Sequence, residues 1–180
     1  ETAKEYGIEI PTLCHHPAVS SSGSCRLCMV ELREGDWSKL VASCIYPVKE
    51  GINIYTETSK VHNVRRWILE MLLASCPASE EIRKLAAKHG VLSTRFPIHD
   101  PDQSCLICGL CQKVCEEVVG LSAISIIDRG VHKKVGTPFL RPSDICVACG
   151  SCVTICPTGA MQKIFDTVRG EPKLPLTQLA

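Results

Sequence analysis

The chain has 180 residues and a formal net charge of +1, with 22% charged and only 4% aromatic residues. So few aromatic side chains limit the apolar core that one or two small domains of this length can build. Thirteen cysteines are present, an odd number that favours metal ligation in a reducing compartment over a disulfide framework. No apolar run approaches the length of a membrane span. The expected location is therefore the cytoplasm, without a direct membrane span.

The first group of cysteines follows a short helix pattern that ends at Gly7. It consists of Cys14, Cys25, Cys28 and Cys44, separated by ten, two and fifteen residues. This spacing departs from the C-x4-C-x2-C run of plant-type ferredoxins, so by itself it leaves a zinc ribbon open. His15 and His16 follow the first cysteine, but a Rieske-type site would replace two cysteines, and all four are present. The two histidines are expected at the surface or behind the ligands.

The residues around these cysteines, at positions 10–14, 24–32 and 40–44, decide between a zinc ribbon and an iron–sulfur site. They resemble the N-terminal [2Fe–2S] domain of the complex I cluster-carrying subunit, of [FeFe] hydrogenases and of the diaphorase small subunit of NAD-linked hydrogenases. The resemblance implies a β-grasp fold with one [2Fe–2S] cluster on the four cysteines. It also implies strands at 27–33, 36–42 and 52–55. A further hairpin upstream of Glu1, or a partner covering that edge, is expected.

Two helices are predicted next. Apolar residues recur at helical spacing between 59 and 74, with Thr58 or Ser59 as N-cap. They are Val61, Val64, Ile68, Met71 and Leu72. A second helix runs from its N-cap Ser79 through Lys88. On another face of the first helix, His62, Arg65 and Arg66 predict a solvated surface or, alternatively, a docking surface for an acidic partner.

Cys76 is left over by the ligand count. In the family resembled above, a cubane held by one histidine and three cysteines stands between the [2Fe–2S] domain and a ferredoxin domain. Cys76-Pro77 occupies the place of that family's ligand His-Pro, and no other cysteine appears until Cys105. This cubane is therefore predicted to be absent. Cys76 is expected to be a small buried thiol, with a redox switch as the alternative.

The remaining eight cysteines form an internal repeat with a period of 41 residues. The two copies are Cys105, Cys108, Cys111, Cys115 and Cys146, Cys149, Cys152, Cys156. Each is the C-x2-C-x2-C-x3-C run of two-cluster ferredoxins, in which three thiolates hold one cubane and the fourth ligates the other. Cys156 is thus assigned to the first [4Fe–4S] cluster and Cys115 to the second. Gly109 and Gly150 recur where a missing side chain lets the backbone wrap around sulfur.

This repeat resembles the two-[4Fe–4S] ferredoxin fold, with one departure. The first run continues with Glu116-Glu117 where small ferredoxins usually have a proline, as in the ferredoxin domains built into [FeFe] hydrogenases and complex I. Zinc is the alternative, although zinc sites usually draw two separated pairs of cysteines. A hairpin is predicted from 123–127 and 131–135. After Met161 no periodicity is predicted, and the tail is expected to run over a surface.

The expected fold class is α+β, in four parts. These are a [2Fe–2S] β-grasp domain at 1–57, a helical spacer at 58–97, a two-[4Fe–4S] ferredoxin-like domain at 98–165 and a tail at 166–180. Three clusters with four thiolates each would bring the net charge to about −5, which argues against a nucleic-acid partner. The spacer predicts that the [2Fe–2S] domain and the cubane pair form separate branches facing different partners.

The sequence contains no Gly-x-Gly-x-x-Gly and no flavin or H-cluster segment, so it offers no hydride site. The resemblance implies an electron-transfer subunit that passes single low-potential electrons between an NAD(P)H-linked flavoprotein subunit and a further redox or catalytic subunit. Two rivals remain open. One is the electron-input region of a hydrogenase or dehydrogenase whose catalytic part lies elsewhere, and the other is a zinc-stabilised scaffold.

Overall fold

The N-terminal part of the protein is built on a three-stranded antiparallel sheet. The computed structural model describes residues 2–169. Helix α1 (Thr2–Glu5) precedes the loop that carries Cys14, Cys25 and Cys28, called here the first cysteine loop. The strands are β1 (Met29–Glu34), β2 (Trp37–Ala42) and β3 (Asn53–Tyr55), with β1 in the centre. Met29 pairs with Ala42, and Leu32 pairs with Ile54. The three strands implied by the resemblance are therefore confirmed, with small shifts at their ends.

Two helices follow the sheet, and both begin where side-chain caps were predicted. In α2 (Ser59–Ser75), the Thr58 hydroxyl accepts the Val61 N–H at 3.3 Å. In α3 (Glu80–Lys88), the Ser79 hydroxyl accepts the Ile82 N–H at 3.3 Å. Each cap satisfies one of the backbone donors that a helix N-terminus leaves free. The two predicted helices are confirmed.

Arg65 does not lie on a solvated face. Its side chain is only 1% exposed, and its guanidinium donates to the Met29 carbonyl at 3.1 Å and to the Glu57 carboxylate at 3.4 Å. Arg65 stands four residues after Val61, so it belongs to the stripe of α2 that faces the sheet. The predicted solvated surface is therefore wrong at this residue, whose buried charge joins α2 to β1.

Replacing Arg65 with alanine should lower the free energy of unfolding by about 3 kcal/mol, because it removes the hydrogen bonds to Met29 and Glu57 and opens a cavity where the buried side chain lay. The neighbouring exposed residue provides the control, and Arg66→Ala should change stability little. Anaerobic denaturant unfolding of both cluster-loaded variants measures the difference. Equal stabilities would show that the buried guanidinium contributes nothing to the joint between α2 and β1.

The C-terminal part consists of short elements. Helix α4 (Leu110–Lys113) continues into a π-helical turn (Val114–Val118), and β4 (Ser125–Ile127) pairs with β5 (Lys134–Gly136) in an antiparallel hairpin. Residues 131–133 were predicted in the second strand of this hairpin, but a 3-10 turn (Gly130–His132) occupies most of them. Strand β5 therefore begins later than predicted. Helix α5 (Ser151–Thr154) lies in the second cysteine run.

Helix α6 (Ala160–Arg169) corrects the prediction of an irregular tail after Met161. Ala160 and Met161 are buried, and Ile164 and Phe165 pack against the same core. These four residues follow the helical spacing i, i+1, i+4, i+5, so a short amphipathic pattern was present before Pro172. The last part of the predicted tail, residues 170–180, lies outside the described residues.

Two apolar cores hold these elements together, and both cross the expected domain boundaries. The first joins Cys14 and Cys25 of the N-terminal loop to Leu69 and Ile82 of the two helices, with Cys108 packed against it. The second is built in the C-terminal part around Leu110, Val114, Val135, Cys152 and Met161, and it also contains Val19. The expectation that the spacer helices keep the first cysteine loop away from the second part is therefore wrong, because α2 and α3 pack beside that loop. Which partner each end faces stays a prediction.

Across the residues that the structure describes, no helix is both long and apolar enough to cross a membrane.

Candidate metal centres

The structure brings the first four predicted cysteines together beside the three-stranded sheet. Cys14, Cys25 and Cys28 are buried and Cys44 is half-buried. The Cys25 backbone N–H donates to the Cys14 sulfur at 3.3 Å. Within the loop, Gly23 and Arg26 adopt left-handed backbone conformations, with φ of 63° and 59°. The loop therefore folds tightly around its own thiols.

The acid–base behaviour of these thiols reflects their close approach. A hydrogen bond from the Cys25 thiol lowers the pKa of Cys14 to about 5, and the same contact raises the pKa of Cys25. Burial, followed by a hydrogen bond with Cys28, raises the pKa of Cys44 to about 12. Each of the four thiols thus interacts with another member of the set.

His15 and His16 organise the loop rather than join the thiols. The His15 Nδ1 atom is hydrogen-bonded to the Ser21 hydroxyl at 2.9 Å, and the His16 Nδ1 atom accepts the Ala18 N–H at 3.2 Å. His15 is half-buried and His16 is exposed, which agrees with the expectation that the two histidines lie at the surface or behind the ligands.

The internal repeat of the sequence is also a repeat of backbone structure. Ile107 and Gly109 adopt left-handed conformations in the first copy, and Ala148 and Gly150 do so in the second. Each glycine directly precedes a four-residue helix, α4 or α5. Left-handed residues alternating with right-handed ones turn successive N–H groups toward a common centre, which suits an anionic group.

The four thiols assigned to the first cubane come from both copies of the repeat. They are Cys105, Cys108, Cys111 and Cys156. Burial, with the charge of Cys156 as a smaller cause, raises the pKa of Cys108 to about 11 and that of Cys111 to about 12. Burial and the charge of Cys156 also raise the pKa of Cys105. The Ile107 N–H points at the Cys105 sulfur at 3.4 Å. Cys156 therefore lies near the three thiols of the other copy, as the spacing predicts.

The second cubane set lines one cavity. Its four thiols are Cys115, Cys146, Cys149 and Cys152. The rest of the wall is largely apolar, with Leu121, Ile124 and Phe165 among the lining residues. The Ala123 N–H donates to the Cys115 sulfur at 3.3 Å, so this thiol faces the hairpin that follows it. Cys149 is exposed, whereas Cys152 is buried.

Cys76 lies at the end of α2 and is completely buried, as expected for a small core thiol. Burial, followed by the charges of Cys105 and Cys108, raises the pKa of Cys76 to about 12. It packs in the core that also contains Cys14 and Cys25. Cys76 thus lies between the first cysteine loop and the loop that carries Cys105 and Cys108, called here the first cubane loop.

The donor chemistry of the three sets fits iron–sulfur clusters. All thirteen cysteines are free, and the twelve predicted ligands supply only thiols, the ligand type that holds [2Fe–2S] and [4Fe–4S] clusters. Backbone N–H groups point at Cys14, Cys105 and Cys115, as expected where sulfur carries negative charge. Among residues 2–165, no three His, Cys, Asp or Glu side chains are arranged to hold a single metal ion.

A polar contact that the sequence analysis missed joins the first cysteine loop to the C-terminal part. Ser20 donates its N–H and its hydroxyl to the Glu117 carboxylate at 2.6 and 2.5 Å. Lys113 donates to the Ser20 carbonyl at 2.7 Å and lies 2.9 Å from its hydroxyl. The two Ser20 hydrogen bonds and the Lys113 charge lower the pKa of Glu117. Only the unusual Glu116-Glu117 pair after Cys115 gave a sequence signal for this contact.

Two family models match the chain. Residues 1–59 match a 2Fe–2S iron–sulfur cluster binding domain, and residues 104–160 match a 4Fe–4S dicluster domain. The two matches contain the twelve cysteines of the three sets and leave Cys76 between them.

Curated relatives cover nearly the whole chain. The alpha subunit of the NADPH-Fe(3+) oxidoreductase of Geobacter sulfurreducens is 33% identical over 96% of the chain, and this match covers 23% of the relative. An NADH-quinone oxidoreductase subunit of Rhizobium meliloti is 32% identical over 94% of the chain and 22% of the relative. The HndD subunit of the NADP-reducing hydrogenase of Solidesulfovibrio fructosivorans is 31% identical over 89% of the chain and 32% of the relative. The chain therefore spans about a quarter to a third of these relatives.

A solved structure has a similar overall fold. A chain of an NAD+-reducing [NiFe]-hydrogenase in the H2-reduced state is 28% identical and superimposes with a TM-score of 0.72, covering 87% of this chain and 76% of that chain. The chain thus contains matches to two iron–sulfur cluster binding domains, and it is similar to parts of subunits of NADH-quinone oxidoreductases and NAD(P)-linked hydrogenases.

Proposed function

We propose that the chain passes single electrons through one [2Fe–2S] and two [4Fe–4S] clusters within a multisubunit oxidoreductase. The [2Fe–2S] ligands are Cys14, Cys25, Cys28 and Cys44. The first [4Fe–4S] cluster is held by Cys105, Cys108, Cys111 and Cys156, and the second by Cys146, Cys149, Cys152 and Cys115. The clusters supply one-electron redox chemistry, while the chain holds them and shelters them from water.

The packing of the first cysteine loop against the first cubane loop carries this proposal. Cys14 and Cys25 share a core with Leu106 and Cys108, and the charge of Cys14 raises the pKa of Cys108. Three thiol sets placed side by side suit a path for electrons, whereas a structural scaffold needs no such contact. The second set, with its exposed Cys149, lies toward the surface and suits exchange with a partner.

The finer fold description is part of the same proposal. Strands β1–β3 and α2 are consistent with part of a β-grasp domain at 1–57 and 58–97 as a helical spacer, followed by a ferredoxin-like domain at 98–165. The absence of the family's His-ligated cubane is supported by the sequence, in which Cys76 is the only cysteine between Cys44 and Cys105. Thirteen free cysteines are consistent with a reducing compartment, which the cytoplasm provides.

The partners follow from the names of the relatives. NADH- and NADPH-linked relatives favour an NAD(P)H-linked flavoprotein subunit on one side and a further redox or catalytic subunit on the other. Because the chain spans only part of its curated relatives, the electron-input region of a larger enzyme is the second candidate. Turnover of NADH or hydrogen by the purified chain without partners would favour an enzyme over a carrier.

Anaerobic reconstitution tests the proposal directly. The purified chain should bind about ten irons, from one two-iron and two four-iron clusters. Stepwise reduction followed by electron paramagnetic resonance should show one [2Fe–2S] and two [4Fe–4S] signals at low potential. A colourless zinc protein would support the scaffold alternative, and about fourteen irons would reveal a third cubane.

A further inference from the structure

Glu116 and Glu117 stand where small ferredoxins usually have a proline after the first cysteine run, and only the second of them forms side-chain contacts. Glu117 receives two hydrogen bonds from Ser20, which lies 97 residues earlier in the chain. The Glu116 side chain is exposed and forms no hydrogen bond or ion pair within the described part of the chain. Both glutamates are exposed and adjacent in the sequence, but only Glu117 connects to the first cysteine loop.

The local backbone presents Glu117 to this contact. Residues Val114–Val118 form a π-helical turn, which the Val119 N–H closes by donating to the Val114 carbonyl at 3.0 Å. Such turns widen a helix by one residue and are frequent at functional sites. Lys113, directly before the turn, reaches the carbonyl and hydroxyl of the same Ser20.

An apolar contact lies beside the polar one. Val19, next to Ser20 and in the same loop as Cys14 and Cys25, is buried in the C-terminal core with Leu110 and Val114. The Val19 N–H donates to the His16 carbonyl at 3.2 Å, so the loop is also closed on itself at this point. Val19 and Ser20 thus attach the middle of the first cysteine loop to the helix that carries Cys111 and Cys115.

We propose that Ser20, Lys113 and Glu117 form a clasp that sets the distance between the [2Fe–2S] site and the cubane pair. The inference rests on the proposed function, since it takes Cys14, Cys25 and the cubane thiols as cluster ligands. The step that the clasp governs moves one electron between the two sites, oxidising one and reducing the other, and no bond is made or broken. Ser20, Lys113 and Glu117 are positioning residues, because they act through the placement of the loop.

The test measures the magnetic interaction between the reduced centres in the cluster-loaded chain, by relaxation and line broadening of the [2Fe–2S] signal. This interaction weakens steeply with distance, so it reports the spacing of the sites independently of activity. Glu117→Ala should reduce the broadening, because Ser20 loses its acceptor while the buried Val19 still holds the loop. Glu116→Ala is the matched control and should keep it. Iron content should equal that of the unmodified chain in both variants.

Ser20→Ala provides a second route, since it lies far in sequence from the cubane ligands. It removes the hydroxyl contacts but keeps the backbone N–H donated to Glu117 and the carbonyl that accepts from Lys113, so it should weaken the broadening less than Glu117→Ala, with all iron retained. Equal broadening in Glu117→Ala and Glu116→Ala would overturn the clasp, as would a larger loss in Ser20→Ala than in Glu117→Ala. Failure of the proposed function would appear earlier, as the absence of three reducible centres in the unmodified chain.

Discussion

Replacing Cys156 with alanine should remove one whole [4Fe–4S] cluster and lower the iron content from about ten to about six per chain. The lost cluster should be the one held by Cys105, Cys108 and Cys111, although Cys156 ends the other cysteine run. The reason is the proximity of Cys156 to these three thiols, whose pKa values it raises. Iron analysis and low-temperature electron paramagnetic resonance measure the loss.

Two further substitutions decide which cluster has gone. Cys105→Ala should leave the same residual spectrum as Cys156→Ala, whereas Cys149→Ala should leave the complementary one. Cys76→Ala, which removes a buried thiol outside the three sets, should retain about ten irons. If the spectrum of Cys156→Ala matches that of Cys149→Ala, the exchange of fourth ligands between the two runs is wrong.

Removing iron should unfold the C-terminal part, with loss of essentially all of the about 5–15 kcal/mol that stabilises a domain of ordinary size. Apart from α6, the elements there are too short to stand alone, because α4 and α5 have four residues each and β4 and β5 have three. Their core consists largely of cysteines and of residues packed around the cysteine loops. Metal binding therefore supplies a large share of the folding free energy in this part.

Anaerobic hydrogen exchange before and after chelation can locate the unfolding. Amides of Leu110–Lys113 and Ser151–Thr154 should lose their protection, while those of Ser59–Ser75 should keep more of it, because α2 packs on α3 and on β1 through Leu69, Ile82 and Arg65. Protection should return when iron and sulfide are restored. Unchanged protection of Leu110–Lys113 in the apoprotein would contradict a cluster-dependent fold.

Local elements were predictable where one short pattern contains the whole cause. Thr58 and Ser79 cap α2 and α3 as predicted, because an N-cap needs only a side-chain oxygen and the N–H three residues later. The same holds for the 41-residue repeat, whose glycines recur with their left-handed conformations. Ile107 and Ala148 adopt the same conformation, but nothing in their residue types indicates it.

The wrong predictions had two causes. Either the contacts of a residue come from a distant part of the chain, or the local pattern is short or fits two structures. Arg65 shares the helical spacing of the apolar stripe, but the sequence could not show that the Met29 carbonyl, 36 residues away, would accept from its guanidinium. The hairpin was displaced because residues 131–133, which suit a strand, are used in a turn. Helix α6 was missed because its apolar pattern spans only six residues before the prolines of the tail.

The sequence by itself determined the chemistry of the sites: the number of thiols, their grouping in one scattered set and two repeated runs, and the separate position of Cys76. Ligand spacing is a local property, so it can be read along the chain. Only the tertiary structure decided that the first cysteine loop packs against the cubane loop, with Val19 buried in the second core and Ser20 bound to Glu117. These contacts depend on how α2 and α3 return the chain toward that loop, which no periodicity or spacing within a single segment records.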